Sequence, residues 1–77
     1  MPKLLDSEGV QVYIYPDDHP PPHVHAYWAE RAVQIAIADG SVIVGSLPRA
    51  KLDVARNFVN EKRAELLEKW QSLNTRR

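Results

Sequence analysis

All three histidines of the chain, His19, His23 and His25, fall in one stretch, Asp17-Asp18-His19-Pro20-Pro21-Pro22-His23-Val24-His25, which together with Pro16 holds four of its six prolines. Imidazole changes charge near neutral pH and is the commonest side-chain metal ligand, so chemistry is looked for here first. Consecutive prolines hold φ fixed and remove backbone donors, giving a stiff extended entry that then releases the chain into a strand. On a strand, side chains two apart leave the same face, so His23 and His25 point the same way.

Two kinds of chemistry are open to these residues. Imidazoles at i and i+2 can converge on one divalent ion such as zinc at about 2.0–2.1 Å, with His19, Asp17 or Asp18 as a third ligand. A site with only nitrogen and oxygen donors and an open position is catalytic in type. Without a metal, His19, His23 and His25 are candidate acid–base groups, and Tyr13, Tyr15 and Tyr27 could stack on bases or orient a phosphate. The pattern is not specific: His-x-His is common, and no zinc-protease signature, nucleophile beside a histidine or Gly-rich phosphate loop accompanies it. Tyrosine and histidine are also ordinary residues on the water-facing side of an antiparallel sheet.

The chain has 77 residues, 44% of them hydrophobic and 26% charged, which suits a single small domain over residues 1–77. It has no cysteine, so disulfides and thiolate metal sites are excluded. Ten Lys/Arg balance ten Asp/Glu, and zero formal charge argues against nucleic-acid binding through an overall positive field. A local basic patch would be needed instead, and the tyrosine-bearing face has no lysine or arginine cluster. The N-terminus lacks a signal-peptide core and no run approaches a membrane span, so a cytoplasmic location is expected.

The elements that position these residues follow from periodicity. Val10-Gln11-Val12-Tyr13-Ile14-Tyr15 alternates strictly and predicts a first strand over 10–15, with Val10, Val12 and Ile14 on its apolar face. His23–Trp28 predicts a second, turning Val24, Ala26 and Trp28 one way and His23, His25 and Tyr27 the other. Residues 31–37 and 41–46, joined at Asp39-Gly40, predict the third and fourth. Pro48 opens a helix that runs to about residue 73 without glycine or proline, and Asn74 onward is expected to fray. Its apolar stripe includes Leu52, Ala55, Val59, Leu66, Trp70 and Leu73, interrupted at Glu61-Lys62-Arg63.

The expected fold is α+β: a four-stranded antiparallel meander packed on one long C-terminal helix, with a kink at the polar interruption as the alternative. A helix of about 25 residues is about 38 Å long, whereas a six-residue strand spans about 20 Å. An overhanging half would leave Leu66 and Trp70 as binding residues for a second copy or a small partner protein. The face opposite the helix collects Tyr13, Tyr15, His23, His25, Tyr27 and Gln34 and is the expected functional surface, with Asp18 at its rim.

Three stretches together resemble a known family: Asp18-His19-Pro20-Pro21-Pro22-His23-Val24-His25-Ala26-Tyr27, Asp39 through Pro48, and Glu65-Leu66-Leu67-Glu68-Lys69-Trp70. They are similar to the small bacterial family called domain of unknown function 4160, over nearly the whole chain. Its most specific mark, Asp-His-x-Pro-Pro-His-x-His, matches from Asp18 through His25 with Pro20 at the variable place. Trp28-Ala29 stands where relatives often carry a Gly-containing turn. The resemblance implies a short cytoplasmic protein, often encoded beside a second small protein in a toxin–antitoxin-like pair, and it carries over no catalytic residue. The expected function is a component of such a pair, acting through partner binding and an exposed His/Tyr face. The alternative is a small metal- or histidine-dependent hydrolase, with RNA as one substrate open to it.

Overall fold

In the computed structural model, which describes residues 3–16 and 19–74, the chain forms β1 Leu5–Ser7, β2 Val10–Tyr13, β3 His23–Trp28, β4 Arg31–Ala36, β5 Val42–Gly45, α1 Arg49–Glu61 and α2 Arg63–Asn74. Asp17 and Asp18, read above as candidate ligand or binding residues, lie outside the described residues. The strands pair in chain order as one antiparallel sheet. This is the expected meander with one strand more. Glu8 and Gly9 sit at φ 53° and 80° and make a two-residue turn that folds β1 onto β2, with Ser7 opposite Val10. A glutamate is a poor advertisement for a positive-φ turn position, and a three-residue strand is too short to show alternation, so this hairpin is hard to see in sequence.

Of the four expected strands, 23–28 forms with the same bounds, while the other three are shorter by one or two residues. β2 leaves the ladder after Tyr13, although Ile14 stays buried. Ile37 also leaves the ladder, staying buried while its N–H donates to Pro22 O at 3.0 Å. The β4–β5 turn is longer than Asp39-Gly40 alone. Ala36 N–H donates to Ser41 O and Gly40 N–H to Ala36 O, each at 2.8 Å. Asp39 Oδ1 accepts the Ser41 N–H at 2.9 Å, and this bond holds the Asp39 carboxyl below its ordinary pKa. Within β5, Gln34 faces Val44 but Ile35 faces Val42, so Ile43 is an extra residue and the strand is bulged. At Gly45, with φ 90°, a Cβ would stand 2.3 Å from Ala32 O.

One face of the sheet is apolar and receives the helices. Val10, Val12, Val24, Ala26, Val33 and Ile35 form a single buried cluster with Ala55 and Val59 of α1 and with Leu66 and Trp70 of α2. Trp28, expected inside with Val24 and Ala26, is only partly buried at the rim of this core. Its indole lies under Gly9, and the Lys51 ammonium stands 5.7 Å from the ring centroid.

The single long helix becomes two. Lys62 leaves helical geometry, at φ −112° and ψ 23°, inside the polar interruption. Next to it Arg63 donates from Nε to Ile37 O at 2.6 Å and from Nη2 to Asn60 Oδ1. Lys51 near the start of α1 donates to Glu8 O at 3.0 Å. Glu8 and Ile37 lie at opposite ends of the sheet, so α1 spans the strands and α2 continues past them. There the β2–β3 connection receives it: Asn74, expected in a frayed tail, donates from Nδ2 to Tyr15 O at 3.2 Å and to Trp70 O at 3.0 Å.

Leu66 and Trp70 are 3% and 8% exposed. Both are therefore core residues of the single chain rather than binding residues, and the apolar stripe of α2 needs no second chain to cover it. The physical reason is that the surface available to a helix is set by loops as well as by strand length. Among the described residues, no helix is long and apolar enough to cross a membrane.

Two substitutions test this packing. Leu66→Ala should lower stability by about 2–5 kcal/mol in urea unfolding, and an unchanged midpoint would put Leu66 on the surface. Gly45→Ala should destabilise by more than about 1 kcal/mol, because the new methyl meets the Ala32 carbonyl in a backbone conformation alanine disfavours; equal midpoints would contradict the bulged geometry.

Candidate functional site

Because Val24 and Ala26 turn into the core, His23, His25 and Tyr27 leave β3 on the face away from the helices. Antiparallel pairing extends this into rows. Tyr13, His25, Gln34 and Val44 lie side by side across β2 to β5, and Gln11, Tyr27 and Ala32 form the adjacent row. Small alanines opposite His23 and Tyr27, namely Ala36 and Ala32, leave room for the rings.

The rings form one connected cluster. Tyr13 stacks on Tyr15 with centroids 6.0 Å apart and meets Tyr27 edge-on at 5.8 Å. Tyr15 meets His25 edge-on at 4.7 Å, and the His23 and His25 centroids are 5.0 Å apart. The Tyr15 and Tyr27 hydroxyls are hydrogen-bonded to each other at 2.9 Å, and Tyr13 donates to Gln11 Oε1 at 3.3 Å. Tyr13, Tyr15, Tyr27 and His25 are each half-buried, so the cluster is a firm aromatic plate with one side toward solvent.

His23 departs from the expectation of an exposed face. It is 5% exposed and hydrogen-bonded through Nδ1 to Pro21 O at 2.8 Å. A carbonyl only accepts, so Nδ1 carries the proton in this bond. This bond ties the proline segment, with its cis Pro20–Pro21 peptide, to the start of β3. His23 thus fixes the loop that feeds the site. His19 is exposed in that loop. Among the described residues no three His, Cys, Asp or Glu side chains gather at ion-binding distance, so the set His19, His23 and His25 is not assembled as a metal centre. The sequence pattern brings His23 and His25 together through strand parity, but parity says nothing about a loop residue four positions away.

Beside His25 lies a shallow pocket of about 120 Å³ lined by His25, Ala32, Val33, Gln34, Val44 and Gly45. A larger one of about 240 Å³, lined by Leu4, Phe58, Lys62, Glu65, Leu66 and Lys69, is lined by no residue of the aromatic plate. The plate therefore offers flat aromatic surface, hydroxyls and one half-exposed imidazole rather than a deep substrate cleft. Sequence reading missed the residues at the far edge of this surface, Val42, Ile43 and Val44, which are exposed. The signal was available: no charged residue occurs from Gly40 to Pro48, in the last strand of a meander.

The two histidines should separate in a stability assay. His23→Ala removes a buried hydrogen bond and leaves the Pro21 carbonyl without its donor, which costs about 1–3 kcal/mol. His25→Ala, at a half-exposed position, should shift the urea midpoint less. Equal shifts would mean that His23 does not anchor the proline segment.

The family model described as Domain of unknown function (DUF4160) matches residues 9–71. That span runs from the β1–β2 turn into α2 and contains the aromatic plate, the proline segment and the bulged β5. Searches of curated proteins and of solved structures found no match. With most of its length covered, the chain belongs to the family described as Domain of unknown function (DUF4160).

Proposed function

We propose that the protein is the partner-binding component of a cytoplasmic, bacterial two-protein pair of the toxin–antitoxin kind, and that the aromatic plate is the surface it presents. The observation that carries this reading is the cluster of Tyr13, Tyr15, Tyr27 and His25 on the sheet face that no helix covers. Tyrosine supplies large contact area with few rotatable bonds and a polar tip, which is why it is enriched where proteins meet. The ring contacts and the Tyr15–Tyr27 hydroxyl bond hold the plate in place before a partner arrives, so little side-chain order is lost on binding. The hydrolase reading has less support. Of its candidate groups His19, His23 and His25, His23 is buried and bonded through Nδ1 to Pro21 O, which leaves His25 as the half-exposed imidazole of the plate.

Co-expression with the product of the neighbouring gene, followed by co-purification and calorimetry, tests the proposal. A complex should form, and Tyr13→Ala or Tyr27→Ala should weaken it by about 2 kcal/mol, roughly 30-fold in Kd. Glu68→Ala, on the exposed side of α2, should change nothing. A complex indifferent to both tyrosine substitutions would remove the plate from the interface.

A further inference from the structure

The two edges of the sheet are unlike each other. β1 is three residues long and carries Asp6, ion-paired with Lys3 at 2.9 Å. Short strands and charges are the usual protection of an edge. β5, at the other edge, pairs among the described residues with β4 on one side only, and although bulged at Ile43 it has no such charge. Its Val42, Ile43 and Val44 are 41%, 44% and 55% exposed, the large hydrophobic side chains that stand out to solvent. Consecutive exposed β-branched residues on an open edge favour addition of another strand.

The charges that flank β5 say which strand. At its beginning Asp39 holds the Ser41 N–H, and at its end Arg31 reaches across from β4 to Ser46 Oγ at 3.3 Å. The edge is therefore acidic at one end, basic at the other and apolar between. A second copy running antiparallel brings each Asp39 toward the partner's Arg31 and sets the valines and isoleucines of the two edges beside one another across the seam, on both faces of the joined sheet.

We propose that β5 pairs with β5 of a second copy of this chain, joining the two sheets edge to edge in a two-fold symmetric dimer. The seam then runs along Val44, a wall of the pocket beside His25 and Gln34. Each pocket is thereby bordered by residues of both copies, and the two aromatic plates become one continuous surface. This pairing uses the sheet edge, whereas the partner proposed above uses the sheet face, so either can exist without the other.

Sedimentation equilibrium of the full chain from micromolar to millimolar concentration should show a dimer. Ile43→Lys and Val44→Lys change exposed positions, so each should give a folded monomer with an unchanged urea midpoint. Asp39→Arg alone and Arg31→Asp alone should each raise the dimer Kd by roughly 2- to 30-fold, and the two together should restore it. Amide exchange at residues 42–45 should slow as concentration rises. A monomer at every concentration overturns the proposal, as does a dimer that survives both lysine substitutions or one without concentration-dependent protection in β5. If the neighbouring gene's product occupies this edge, the chain alone is monomeric and the lysine substitutions break that complex instead, which also overturns self-pairing. Tyr13→Ala and Tyr27→Ala should leave the dimer intact, so failure here is distinguishable from failure of the partner-binding reading.

Discussion

Val24 and Ala26, both fully shielded from solvent on the central strand, hold the sheet to the helices, and nearly every other feature depends on that burial. Because side chains alternate on a strand, sending these two inward sends His23, His25 and Tyr27 outward. Register then carries the division sideways: Val12 and Val33 join the core, while Tyr13 and Gln34 join the other face. A slip of one residue would put imidazoles under a helix and valines into water. The aromatic plate is thus a consequence of core formation.

The β2–β3 connection links that plate to the helices. On one side Pro21 O accepts the His23 ring proton, fixing where β3 begins. On the other, Tyr15 O accepts a hydrogen bond from Asn74, and Ile14 shares the core cluster with Leu66 and Trp70. Ile14 and Tyr15, just past the end of β2, thus extend the surface on which α2 rests.

The sheet's open edge and open face differ in kind. The face is made of rings that already contact one another, so it can be recognised without rearrangement. The edge is a bulged strand of branched aliphatic residues, where pairing with another backbone supplies both hydrogen bonds and apolar burial.

Sequence alone determined the parity of the strands, the helical stretch with its weak point at Glu61-Lys62-Arg63, and the convergence of His23 and His25, because alternation and helical spacing are local properties. It also carried the resemblance to the family whose model matches residues 9–71. It could not reveal β1, whose turn uses Glu8 at positive φ and whose three residues show no period. Nor could it reveal that Leu66 and Trp70 would be covered within one chain, that His23 would be buried, or that β5 would bulge at Ile43. Each of these is decided by what a distant segment does: the β2–β3 connection rising under α2, Pro21 O folding back on an imidazole, the Ala32 carbonyl crowding Gly45. Burial is a property of the neighbours a residue acquires, and only the tertiary structure brings those neighbours together.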